Sequence, residues 1–200
     1  MALFRQAPTA PMTPRAQLEN KYNTARANLL VVVILTAVNI LLLLTRNFSY
    51  FLFSASIPYL LVDLGMTFCG KYPPEYYTDA LEGMTFVGDG LLIALSAIAF
   101  VILGVYLLLW YLSRRHAGCL TAALVLFSLD TLFLLIILTP SISGLLDLLF
   151  HGILLYALIV GVRAAAKRRQ LPPEDITDTP FTELPTEEEP KEEQQVEGEA

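Results

Sequence analysis

The sequence predicts an all-α membrane protein: a four-transmembrane-helix bundle with an extracytoplasmic interfacial or re-entrant hairpin between its first two spans and a disordered acidic C-terminal tail. Three observations predict it. Apolar residues make up 55% of the 200-residue chain, and they gather in blocks long enough to cross a bilayer core rather than alternating with polar residues. Nine of the thirteen Lys and Arg fall in three clusters, Arg15/Lys21/Arg26, Arg114/Arg115 and Arg163/Lys167/Arg168/Arg169, and four spans place all three on one side, as the positive-inside rule requires. The net charge of −6 is unevenly divided: Leu171 to Ala200 holds eleven acids and one Lys, which is −10, so the rest of the chain is +4.

Taken in order, residues 1–13 contain Pro8 and Pro11 and few apolar side chains, and read as a flexible cytoplasmic N-terminus. Thr13 followed by Pro14 has the pattern of a helix cap and first helical residue. Leu18, Tyr22, Ala25 and Leu29 then recur at helical spacing, which predicts one helix to about Thr45, roughly 48 Å long at 1.5 Å per residue. Residues 28–45 of it form the first span. The run is too long for the apolar region of a cleaved leader, and the small-residue stretch Ser54-Ala55-Ser56 lies nine residues beyond it, so the span is read as uncleaved.

Residues 47–83 form the outer region. Phe48, Tyr50, Phe51, Phe53, Tyr59 and Phe68 are interfacial aromatics interrupted by Ser54, Ser56, Pro58 and Asp63. Counting 47–70 as a fifth span would move Arg114 and Arg115 outside, so it is read as a re-entrant or surface-lying hairpin, tolerable at membrane depth only when packed against protein. Pro73-Pro74 marks a turn, followed by a short helix carrying Asp79 and Glu82. The second span, 86–112, ends in Trp110-Tyr111 and Arg114-Arg115-His116; the third covers 120–138; the fourth covers 144–162 and stops at Arg163. These complete a membrane domain over 14–169 with both termini cytoplasmic. Residues 170–200 are rich in Pro, Glu, Thr and Gln and cannot bury enough apolar surface to order themselves.

Ionisable groups inside a membrane usually face the protein interior and mark sites or helix contacts. Asp130 and His151 each lie about 11 to 12 Å from the outer end of their spans, hence level with each other, and Asn39 lies about 9 Å down. Asp147 and His151, at i and i+4, share a helix face. Asp89 sits near the outer start of the second span. Every span thus brings at least one polar group to the outer half. Two readings compete for Asn39, Asp89, Asp130, Asp147 and His151. Either they join helices, with Asp130 bonded to Asn39 or His151, or they form a proton- or cation-handling site with Asp89 and Asp147 at its mouth. Carboxylate and imidazole suit a divalent cation such as zinc, manganese or iron. Groups spread over four helices have no diagnostic ligand spacing, so no metal and no cofactor is assigned.

Other chemistry finds little footing. Gly83, Gly88 and Gly90 are not followed by Lys-Ser or Lys-Thr, so they make no phosphate loop. Ser96, Ser128 and Thr131 have no base at fixed spacing, and an enzymatic reading therefore has no residues to carry it. Nothing points to nucleic acid. Cys69 and Cys119 fall on opposite sides of the bilayer, which excludes an intrachain disulfide. Gly90/Ala94 and Ala157/Gly161 have the small-xxx-small spacing of close helix contacts. The Arg163 to Arg169 cluster reads first as a topology anchor and second as an anionic-lipid site.

At Lys21-Tyr22-Asn23-Thr24-Ala25-Arg26-Ala27-Asn28-Leu29-Leu30 and at Phe53-Ser54-Ala55-Ser56-Ile57-Pro58-Tyr59-Leu60-Leu61-Val62-Asp63 the chain resembles uncharacterised small four-span integral membrane proteins of bacteria. The resemblance implies a bacterial cytoplasmic membrane and carries no activity. The expectation is a non-enzymatic transport component with an outward-facing cation or proton site; the alternative is an accessory or scaffold subunit of a larger membrane complex. The bilayer is the expected environment. Two helical hairpins also suit a homodimer, and the outer aromatics or the tail suit a larger membrane partner.

Overall fold

The computed structural model describes residues 12–47, 49–77, 83, 85–137 and 142–172, with 142 and 143 by their backbone alone. Helices α1 (Pro14–Leu44), α2 (Ser56–Phe68), α3 (Gly90–Leu112), α4 (Ala117–Ile137) and α5 (Ile142–Gln170) follow one another, with a 3-10 turn at Pro74–Tyr77. Among the described residues there is no strand. Four helices, α1, α3, α4 and α5, are long and apolar enough to cross a membrane, whereas the 13 residues of α2 rise only about 20 Å. Ile93 and Val101 of α3, Ile136 of α4 and Tyr156 of α5 are 66% to 74% exposed. So much outward apolar surface on helices of spanning length suits the acyl chains of a bilayer. The chain is a multi-pass membrane protein in contact with the lipid bilayer.

Local chemistry explains the boundaries. Thr13 Oγ1 accepts the amide of Ala16 at 3.2 Å and Pro14 opens α1, as the sequence predicts. At the other end Arg46 takes φ 58°, and the amides of Arg46 and Asn47 return to the carbonyls of Leu43 and Leu42. This is a Schellman closure with Arg where Gly is usual. The end of α2 closes the same way through Gly70 at φ 64°, with Lys71 N bonded to Met66 O at 2.9 Å.

Three boundaries differ from expectation. α3 begins at Gly90, not residue 86, because Val87 N is bonded to Phe68 O at 2.9 Å and the preceding chain is held against α2. α4 begins at Ala117, three residues before the expected 120. α5 continues past Val162 to Gln170: Arg163-Ala164-Ala165-Ala166-Lys167 are all strong helix formers, and the Lys and Arg of the last turn complement the helix dipole. The N-terminal lead before residue 12, the expected helix around Asp79 and Glu82, the turn at 138–141 and the acidic tail from 173 lie outside the described residues.

α1 packs chiefly on α5, and α2 on α3. One core cluster gathers Ala25, Leu29, Tyr106, Leu120, Phe127 and Leu158 from the four long helices. A second, formed by Ile40, Leu43, Val62, Met66 and Ala99, clamps α2 between α1 and α3. Of the small-residue pairs, Gly161 lies so close to α1 that an added Cβ would stand 2.3 Å from Ala25 Cβ, while Gly90 meets nothing within 4 Å. Gly161 is thus a close-contact position and Gly90 is not. Cys69, just after α2, and Cys119, at the start of α4, are both free.

Candidate functional site

After α1 ends, the chain turns back and runs down beside it, and polar side chains of α1 hold that descent. Asn39 Nδ2 donates to Phe51 O at 2.7 Å and to Ser54 Oγ at 3.0 Å, and Asn39 Oδ1 accepts Phe51 N at 2.9 Å. Three residues deeper, Thr36 Oγ1 accepts Ala55 N at 2.8 Å. Thr36 lies eight residues from the end of α1, which places the foot of the hairpin about 12 Å inside the bundle. From there α2 climbs back out. The region expected to be interfacial or re-entrant is a re-entrant hairpin.

A helix beginning at such depth exposes amides that lipid cannot satisfy. Here each is accounted for. Ala55 N goes to Thr36, Ser56 N to Asp130 Oδ2 at 2.9 Å and Ile57 N to Asp130 Oδ1 at 2.8 Å, while Pro58 has no amide hydrogen. Asp130, from α4, is therefore the cap of α2, supplied in trans. His151 of α5 completes the cluster: Nε2 lies 3.2 Å from Asp130 Oδ2 and 3.3 Å from Ser56 Oγ, and its ring stacks on Phe127 at 5.1 Å. Its Nδ1 lies 2.9 Å from the carbonyl of Asp147. A carbonyl can only accept, so Nδ1 carries a proton, and Nε2 shares a hydrogen bond with the Asp130 carboxyl. Asp130, His151, Asn39 and Thr36 are each 1% exposed or less.

The levels of Asp130 and His151 agree with the sequence reading. Of the two partners expected for Asp130, His151 is the one it meets, together with the α2 amides, while Asn39 serves the descending chain instead. Asp89 is not inside a span: it precedes α3, its side chain is 65% exposed, and it pairs with Lys71 at 2.7 Å. Asp147 is half-buried, receiving Tyr50 Oη at 3.4 Å. Thr36, Ser54 and Ser56 were not among the expected site residues. The signal for the two serines is Ser-Ala-Ser-Ile-Pro, short polar residues with Pro in the third helical position, which is a helix start rather than an interruption of a span.

Asn39→Leu removes the partners of Phe51 N and O together while keeping a side chain of similar branched shape. A loss of about 1 to 3 kcal/mol is expected from the stranded backbone groups, read as a lower midpoint in thermal unfolding of the detergent-solubilised protein. An unchanged midpoint would mean that the hairpin is held elsewhere.

A second feature opens at the same end. Tyr59, Asp63, Tyr72, Pro73, Glu75 and Tyr76 line a pocket of about 460 Å3. Tyr72 and Tyr76 stack at 4.3 Å, Tyr59 meets Tyr50 edge-on at 5.0 Å, and Tyr72 Oη donates to Asp63 Oδ1. Burial pushes the Asp63 carboxyl above the usual carboxylate range, partly offset by its bond from Tyr72. Burial, reinforced by the charge of Asp63, pushes Tyr59 up to about 12, so its ring stays neutral at physiological pH. Among the described residues no three His, Cys, Asp or Glu side chains group as metal ligands would.

Fold and site together define a four-span membrane protein carrying a re-entrant helix pinned by buried polar side chains. Comparison with protein-family models, with curated proteins and with solved structures finds no match.

Proposed function

We propose that the protein is a non-enzymatic transport component of a bacterial cytoplasmic membrane, with both termini cytoplasmic, and that it takes an organic ammonium cation on its outer face. The observation that carries this reading is the pocket of three tyrosine rings and two carboxylates above the re-entrant helix. Its volume falls in the range of small-ligand sites, and rings of neutral tyrosine attract cations through their faces. Asp63 is already engaged by Tyr72, so the lining offers π faces and diffuse negative charge rather than the oxygen cage a small metal ion requires. Half-helices starting within the membrane recur in transporters, which is support by analogy.

Choline and its uncharged isostere 3,3-dimethylbutanol distinguish cation binding from apolar partition in calorimetry of the protein in maltoside. Choline is expected to bind at least about tenfold more tightly, Tyr76→Ala to remove most of the difference, and Tyr76→Phe to keep it. Because binding uses ionised Asp63, affinity is present above its raised pKa and falls as pH drops through it, at a higher pH than an ordinary carboxylate would give. Equal binding of both compounds would overturn the cation reading; binding without choline uptake into liposomes would overturn transport alone.

The alternative, an accessory or scaffold subunit, draws support from the Asp130–His151 pair, whose hydrogen bonds join α4 to α5 and hold the start of α2. It predicts a larger protein retained after mild extraction, and a clean monomer counts against it.

A further inference from the structure

We propose that the opposite end of the bundle is a binding site for a phosphate group, presented by an anionic lipid headgroup or by a free phosphate. Arg26 of α1, Arg114 and Arg115 of the α3–α4 turn and Arg168 of α5 line one pocket of about 280 Å3 there, with Asn23 and Glu19 at its α1 wall. Three separate places in the sequence supply these cations. A topology anchor needs only positive charge on one side of the membrane; it does not need guanidinium groups to converge.

Two of the four are fixed in place. Arg26 Nε donates to Ser113 Oγ at 2.7 Å, and its guanidinium lies over the Trp110 ring at 5.9 Å. Ser113 is itself held, its carbonyl accepting Tyr22 Oη at 2.5 Å and its hydroxyl donating to Trp110 O at 2.6 Å. Arg168 lies over the Tyr22 ring at 5.7 Å and 3.9 Å from Glu19. One carboxylate therefore stands against four guanidinium groups, leaving a net charge of +3 on the side chains named. Planar, pre-oriented guanidinium groups match phosphate oxygens in pairs. Trp110 and Tyr111 mark this level as the membrane interface, where the cytoplasmic leaflet carries anionic lipid. The site is independent of any cation taken at the far end.

The test is thermal stabilisation of the full-length protein in maltoside by dihexanoyl phosphatidylglycerol, with dihexanoyl phosphatidylcholine and inorganic phosphate as separate arms. Phosphatidylglycerol is expected to raise the midpoint and phosphatidylcholine to leave it unchanged. The exposed pair Arg114→Gln/Arg115→Gln is expected to raise the lipid concentration needed for a given shift about thirtyfold, as loss of two interfacial cations implies. Arg163→Gln/Arg169→Gln, on the same helix end as Arg168 but outside the pocket, is expected to retain the wild-type response. Saturation by phosphate in competition with the lipid would assign the site to free phosphate; a response to the lipid alone would assign it to the headgroup. Equal losses in the two double variants, or equal stabilisation by both lipids, would overturn the site.

Discussion

Asp130→Ala is expected to destabilise the protein by about 2 to 6 kcal/mol, the range for two buried amides left without acceptors. The substitution strands Ser56 N and Ile57 N at the foot of a re-entrant helix and leaves His151 without its carboxyl partner. Thermal unfolding reads the total. The local consequence is read at Cys69, which is 7% exposed at the top of α2 with Sγ 3.5 Å from Gly88 O. In a Cys119→Ser background, release of α2 should speed its reaction with maleimide. The double variant Asp130→Leu/His151→Leu separates two roles of the carboxylate. If Asp130 served only as partner to His151, replacing both polar groups by apolar ones would restore stability. Since it also caps α2, the double variant should remain well below wild type; full recovery would sink the capping account.

How far this arrangement is legible in the sequence depends on the range of the interactions involved. The spans follow from composition, because a bilayer imposes length and hydropathy on each segment separately. The cap of α1 is equally local, lying within Thr13, Pro14 and Ala16. The level of Asp130 against His151 follows from helical rise alone, and their 3.2 Å contact agrees with it. What Asp130 faces is a different matter. Its partners are 74 and 73 residues away in sequence, and nothing in α4 records that an amide pair from another segment will arrive there. Asp89 fails for a simpler reason: hydropathy places the start of a span only to within a turn, and one turn separates a buried carboxylate from a surface ion pair with Lys71. Tyr59, Asp63, Tyr72 and Tyr76 resemble ordinary interfacial residues one by one, and only the return of the chain after Gly70 sets them around a common space.

Gly161→Ala is the substitution for which two general effects oppose each other, and geometry decides the sign. In a helix interior Ala is better than Gly by about 1 kcal/mol. At Gly152, whose surroundings hold nothing within 4 Å of an added Cβ, that gain should appear intact. At Gly161 the new methyl would stand 2.3 Å from Ala25 Cβ and 3.3 Å from Leu120 Cδ2, against a comfortable carbon separation of about 3.5 to 4.0 Å. Ala25 is 1% exposed, so α1 and α5 must part, and overpacking of this kind costs about 1 to 3 kcal/mol. Gly152→Ala should therefore raise the unfolding midpoint and Gly161→Ala lower it, with Ala25→Gly restoring much of the loss by removing the opposing methyl. A consequence reaches the basic end. Arg26 follows Ala25 directly and Arg168 lies two turns beyond Gly161, so parting the helices widens the pocket between those guanidinium groups. The phosphatidylglycerol response should weaken in Gly161→Ala and return with Ala25→Gly; a response that ignores the spacing would mean that surface charge alone, not a shaped pocket, attracts the headgroup.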